Sequence, residues 1–393
     1  MCIYSERLPW IFSTNQFSRQ IEEKRRAGVP LLDLTLSNPT EGLTDYPHEA
    51  IRLAYAAIDG FRYSPNPFGE EGARSALCEW YQRRGARIAP ERLLLTASSS
   101  ESYALLFKLF CNPGDEILAP APSYPLFEYL AALESVRMVP YRLSYDGAWF
   151  IDFADLEQRI SSRTRAIVVV HPNNPTGSFL KRWEQDRLIE LAKQRELPII
   201  CDEVFLDYAL EPDAARAGTF AECDSVLSFS LNGLSKSAGM PQMKLGWMVL
   251  NGPEAERERA RERLEIVSDT YLSVNTPVQR ALPELLRIGG DVQQAIAGRT
   301  KRNLSTLKEL LAPSSAHPLR TEGGWSAIVK LPNTIAEEAA VARLLEEQNV
   351  IVQPGYFFDM PFEPAVVVSL LTAADTFEEG VRRLARFAHD GAR

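Results

Sequence analysis

Between residues 93 and 250 short apolar runs recur at regular intervals, with helix-period segments between them. No other feature restricts the fold as tightly, because such alternation belongs to α/β domains built around a mainly parallel sheet. The spacing predicts strands at 93–96, 116–119, 136–141, 166–171, 198–201, 226–230 and 245–250. Apolar periodicity predicts helices at 101–110 and 183–195 among the connections. The expected body is a three-layer α/β/α domain with a seven-stranded, mainly parallel sheet.

Beyond about residue 287 the texture changes to a long polar helix pattern. Strand-like 325–331, a helix at 335–348 and strand-like 350–353 and 366–371 follow. This reads as a smaller α+β unit. The first 45 residues carry too little apolar surface to bury a core alone and are expected to pack on that unit. The division is therefore 1–45, an N-terminal segment; 46–287, a large domain; and 288–393, a small domain. There is no repeat at a solenoid period.

The 393 residues are 45% apolar and 24% charged, an ordinary globular balance. A net charge of −9 argues against nucleic-acid binding, which needs clustered Lys and Arg. The basic run at 257–263 alternates with Glu and Ala and reads as a solvated helix face. Five cysteines (Cys2, Cys78, Cys111, Cys201, Cys223) form no CxxC pair, so neither a disulfide framework nor a thiolate metal site is expected. No apolar run approaches the ~20 residues of a membrane span. The expectation is a soluble, cytoplasmic protein without metal, membrane or nucleic-acid partners.

Four segments carry residues with chemical potential, and three of them follow the end of a predicted strand, where ligands bind in open α/β sheets. Ser98, Ser99 and Ser100 begin a helix after the 93–96 strand, offering N–H groups and a helix dipole to an anion. Alone, they could be no more than a helix cap. Asn173-Asn174-Pro175-Thr176-Gly177 places a carboxamide at another strand end. Asp202 follows the apolar 197–201 run, and a carboxylate in that setting needs a cationic or donor partner. Lys236 lies in a Gly/Ser/Asn-rich loop eight residues before a second cation, Lys244. A lysine with depressed pKa there is a candidate for imine chemistry, and a surface lysine is the alternative.

Taken together, these segments resemble the class I/II aminotransferases, pyridoxal-phosphate enzymes of fold type I. The resemblance covers nearly the whole chain, from Tyr63 and Gly69-Glu70-Glu71-Gly72-Ala73-Arg74 through 113–125 (PGDEILAPAPSYP), NNPTG, CDEVF and GLSK. It implies pyridoxal 5'-phosphate held by Lys236 as an imine, with Lys236 shuttling the proton and Asp202 protonating the ring. It implies Asn174 donating to the ring oxygen, Tyr124 stacking on the ring, and Ser98, Ser99, Ser100 and Lys244 holding the phosphate. Tyr63 would reach the neighbouring subunit's phosphate, which implies a homodimer with shared active sites. The implied reaction is amino transfer between an L-amino acid and a 2-oxo acid. A lyase or cyclase working through the same imine is the alternative, and a non-catalytic cofactor-binding regulator is a further one.

Three positions depart from the family pattern. Phe205 stands where a tyrosine is usual, and Lys244 where a phosphate-binding arginine is usual. Val367 occupies the position of the arginine that holds the substrate carboxylate. The substitutes that can be named are Asn38, in the LSNPT segment, and Arg320.

Overall fold

Uninterrupted aliphatic runs need cover on both sheet faces. The computed structural model describes residues 4–8, 10, 15–60 and 62–390, and its central sheet is covered in this way. A short strand, β1 (Leu32–Asp33), precedes that sheet. The sheet contains β2 (Leu93–Thr96), β3 (Glu116–Ala121), β4 (Arg137–Tyr145), β5 (Trp149–Ile151), β6 (Thr164–Val170), β7 (Ile199–Asp202), β8 (Ser228–Gly233) and β9 (Gly246–Asn251). Their spatial order is β2-β9-β8-β7-β6-β3-β4-β5.

All seven expected strands are present, and the five from β4 through β3, β6 and β7 to β8 run parallel. The sheet has eight strands rather than seven. The addition is β5, antiparallel to β4 at the edge. Three residues are too few for alternation to show, although Asp146-Gly147 before it is a hairpin signal.

Successive side chains face opposite layers, as strand geometry requires. Val168, Ile200, Phe229 and Leu231 meet Leu105 and Leu106 of the helix Ser99–Phe110 on one face. Ile167, Val169 and Ile199 meet Leu188 and Leu191 of the helix Arg182–Arg195 on the other. This is the expected three-layer arrangement.

The C-terminal residues form a second, antiparallel sheet from β10 (His317–Pro318), β11 (Ser326–Lys330), β13 (Gln353–Pro354) and β14 (Ala365–Ser369), in the order β10-β11-β14-β13. Between them, β12 (Val350–Ile351) pairs in parallel with β1. Leu34 joins a core with Leu344, Val366 and Phe377. The 287/288 point lies inside one uninterrupted helix, Thr276–Leu311, of 36 residues. Its first half packs under the large sheet through Leu282, Leu285 and Ile288. Its end joins the C-terminal core through Leu304, Leu307 and Leu311.

The turn after β6 is pressed against the turn before β11. Gly177 has φ +69, and a Cβ there would lie 2.6 Å from the carbonyl oxygen of Gly323. Only glycine permits both the left-handed backbone and the approach. Cys78, Cys111, Cys201 and Cys223 are free, and Cys2 lies outside the described residues.

Candidate active site

Strand register gathers the chemically informative segments at one edge of the large sheet. Val170 pairs with Asp202, and Asp202 with Leu231, so the ends of β6, β7 and β8 are aligned. Gly246, at the start of antiparallel β9, pairs with both Gly233 and Thr96. Ser98, Asn174, Asp202 and Lys236 therefore all emerge along this edge.

Ser98 has an extended backbone and its hydroxyl accepts from the Glu101 N–H at 3.2 Å, capping the helix that follows. The N–H groups of Ser99 and Ser100 belong to the first turn, which has no intrahelical acceptors for them. Gly246 lets β9 pass close beneath this turn, since a Cβ on it would lie 3.0 Å from the Ser98 carbonyl carbon. Lys244 is exposed, two residues from that contact, in a left-handed conformation with φ 50. The first turn of the Ser99–Phe110 helix and the start of β9 that follows Lys244 therefore meet at Gly246.

Asp202 is buried at the end of β7. One of its oxygens accepts from the Val204 N–H at 3.1 Å and the other from the Tyr103 hydroxyl at 3.0 Å. Burial pushes its carboxyl up to about 6, with these donors and the charge of Lys236 acting in the opposite direction. Such a carboxylate has room for a cationic partner. Lys236 sits on a one-turn helix, Leu234–Ser237, directly after β8. Its Nζ lies 4.9 Å from the Trp325 ring centroid and 5.5 Å from that of Phe205. Desolvation lowers the ammonium pKa while Asp202 holds it up, the environment of an amine that can lose its proton.

These shifts make a stability prediction for the cofactor-free protein. Burial also pushes neighbouring Glu203 up to about 7. Both carboxyls bind protons more tightly in the folded than in the unfolded chain, so their contribution to stability falls as pH rises from about 4 to about 7. Below about pH 4 both are protonated in either state and the penalty disappears. Urea unfolding of wild type and Asp202→Asn is expected to diverge between about pH 4 and 6, the variant becoming relatively more stable. A constant difference across that interval would show that Asp202 titrates normally.

The remaining expected residues are placed as follows. Asn174 is half-buried, and its side-chain oxygen accepts from the Ser326 hydroxyl at 3.3 Å, which leaves the amide nitrogen to donate. Tyr124 follows β3 and is 49% exposed. Tyr63 is 74% exposed at the mouth of a surface cleft with Glu70 and Gln279. Asn38 is engaged locally: it caps a short helix, accepting from the Thr40 N–H and donating to Glu41 at 2.8 Å. The Arg320 guanidinium is bound to Glu211 at 2.7 and 2.8 Å. Val367 is buried in an apolar cluster with Ile328 and Phe358.

The profile of the family described as aminotransferase class I and II matches residues 30–384. The chain belongs to the class I and II aminotransferases. The glutamate-pyruvate aminotransferase AlaA of Escherichia coli K12 is 28% identical over 399 aligned residues, covering 94% of this chain and 92% of that protein. The alanine aminotransferase of Mycobacterium tuberculosis H37Rv is 25% identical over 372, covering 92% of this chain and 86% of that protein. Among solved structures, the alanine aminotransferase of Pyrococcus furiosus superposes with a TM-score of 0.89 at 25% identity, covering 98% of this chain and all of that one. These relatives make the chain an aminotransferase, and neither a lyase nor a regulator is favoured. The family works with pyridoxal phosphate.

Sequence reasoning missed three aromatic residues of this aminotransferase site. They are Tyr103, bonded to Asp202; Trp325, beside Lys236; and Tyr208, whose hydroxyl donates to the Lys236 carbonyl at 2.5 Å. No sequence signal marks them: Tyr103 lies in a mixed helix that also carries Ser102, Glu101 and Lys108.

Proposed function

We propose that this aminotransferase holds pyridoxal 5'-phosphate at the sheet edge and moves an amino group between an L-amino acid and a 2-oxo acid. The observation that carries the reading is the placement of Asp202 at the end of β7 and of Lys236 on the helical turn after the adjacent β8, both desolvated, at the sheet edge where the helix Ser99–Phe110 begins. The donor set fits the cofactor. Ser99 and Ser100 N–H groups, the serine hydroxyls and Lys244 suit a phosphate. Asn174 suits a phenolate oxygen, and buried Asp202 suits a ring N–H⁺. Tyr124 offers an open aromatic face.

When bound, the cofactor supplies the electron sink that makes the substrate Cα–H acidic. The chain's part is positional and acid–base. Asp202 fixes the ring's charge, Tyr103 orients Asp202, and the Lys236 amine takes the Cα proton and returns it on the other side of the reaction. Phe205 contributes no hydroxyl, so Asn174 alone answers the ring oxygen. Tyr63, exposed in the single chain, is read as completing the phosphate site of a second copy in a homodimer. Residues 46–287 are read as the cofactor domain and 288–393 as the small domain, joined by the helix Thr276–Leu311. No described helix is long and apolar enough to cross a membrane, and the cytoplasm is the compartment proposed.

The test is a panel of amino acids, including the alanine and glutamate that the relatives' names carry, incubated with holoenzyme. Transamination releases a 2-oxo acid with stoichiometric amination of the cofactor. Ammonia release in its place would favour elimination.

A further inference from the structure

A cavity of about 420 Å³, within the size range of small-molecule sites, is lined by Gln353, the cross-strand partner of Val367. Tyr124 and Pro120 line one side, next to the proposed cofactor position. The other side is Gln353 and the turn containing Tyr356, Phe357 and Phe358. The two walls are tied together, since the Ser123 N–H donates to the Phe358 carbonyl at 3.2 Å.

Two features of this cavity point to its occupant. Gln353 pairs with Val367 across the β13–β14 ladder, and cross-strand partners project from the same face. The half-buried carboxamide of Gln353 therefore stands beside the position where the arginine was expected, and it lines the cavity. The second feature is the lining itself. Tyr124, Tyr356 and Phe357 are each between 38% and 49% exposed around it, and Tyr129 adds a ring that packs on Trp10 with centroids 4.6 Å apart. Its charged members are Glu128 and Asp359, and among the described lining residues there is no Lys, Arg or His. A dicarboxylate side chain has no counter-charge there, whereas an aromatic ring finds stacking and edge contacts.

We propose that this cavity receives the side chain of an aromatic L-amino acid, with Gln353 holding the α-carboxylate in place of an arginine. The proposal rests on the transamination reading above. A neutral amide gives one charge-assisted hydrogen bond where a guanidinium gives a bidentate pair, so the weight of substrate binding passes to the side chain. Asn38 and Arg320 are committed to Thr40, Glu41 and Glu211, whereas Gln353 is the direct cross-strand partner of Val367.

The experiment follows amination of the cofactor in holoenzyme by absorbance, with L-phenylalanine, L-glutamate, L-lysine and 2-phenylethylamine as donors. Phenylalanine is expected to exceed glutamate and lysine in kcat/KM by at least about tenfold, from burial of its ring. Gln353→Leu is expected to raise KM for phenylalanine roughly ten- to a hundredfold, the loss of one charge-assisted bond, and to leave 2-phenylethylamine unaffected because it has no carboxylate. Tyr356→Ala, at an exposed side chain, is expected to lower phenylalanine turnover relative to alanine turnover. Preference for lysine or glutamate overturns the aromatic occupant. Equal losses on phenylalanine and 2-phenylethylamine in Gln353→Leu overturn the carboxylate role. Glutamate reacting while phenylalanine fails overturns the proposal alone, and a holoenzyme aminated by no donor removes the transamination reading with it.

Discussion

Lys236→Ala is expected to abolish covalent attachment of the cofactor and to reduce turnover by at least about a thousandfold, since the variant loses nucleophile and proton carrier together. The protein should still fold. Lys236 makes no close ion pair that its removal would strand, and its Nζ rests over the rings of Trp325 and Phe205, whose mutual edge contact at 5.3 Å persists without it. Its charge stabilises the ionised form of Asp202, so the variant's Asp202 should hold a proton slightly more tightly. Borohydride reduction of wild-type holoenzyme followed by peptide mass mapping should place the label on Lys236. A label on Lys244, or full activity in the alanine variant, would sink the assignment.

Asp202→Asn is expected to be nearly as severe, with turnover falling at least about a hundredfold. Asparagine preserves the volume of a 7% exposed side chain, its oxygen can still accept from the Val204 N–H, and its amide nitrogen can donate to the Tyr103 hydroxyl, so the backbone should be undisturbed. What it cannot do is balance a positive charge on the ring nitrogen. The loss should fall on Cα proton removal, and the deuterium isotope effect with Cα-labelled substrate should rise because that step becomes rate-limiting. The cofactor's ring ¹⁵N resonance should move toward its unprotonated position, a readout independent of turnover. Near-normal rates with an unchanged isotope effect would mean that another acid holds the ring. Tyr103→Phe is the milder companion, because it removes one donor and leaves the charge.

The parts of this protein that were legible from its sequence are those written into local runs. Seven strands were legible because each run is mainly apolar between polar turns, Asp202 because it directly follows one, and Lys236 because it lies in a Gly/Ser/Asn-rich loop and in the GLSK segment of the family resemblance. Register alone then brought them together, since Asp202 and Leu231 are paired neighbours. Residues whose meaning lies in distant contacts were not legible. Tyr103 is 99 positions from Asp202, and nothing in an amphipathic helix shows which of its buried residues points a hydroxyl at a carboxylate. Trp325 was readable only as the start of a strand. Gln353 acquires its interest from the residue across the ladder, and no linear pattern encodes a cross-strand partner. The 287/288 division falls within a continuous helix because composition changes along Thr276–Leu311 while helical hydrogen bonding does not.

That helix has a mechanical consequence. A rod of 36 residues spans roughly 54 Å at 1.5 Å per residue, and it is embedded at one end under the large sheet and at the other in the C-terminal core. Two bodies joined by a slack linker can reorient freely, but these two share a stiff beam, so any approach of the Gln353 strand toward Tyr124 has to be accommodated as curvature. The hydrogen-bond ladder of the beam is interrupted at Pro283, which lacks the N–H that would bond the Gln279 carbonyl, and helices bend where that ladder is interrupted. Pro283 is thus where curvature between the two bodies is expected to concentrate, at a residue placed in neither the cofactor nor the substrate site.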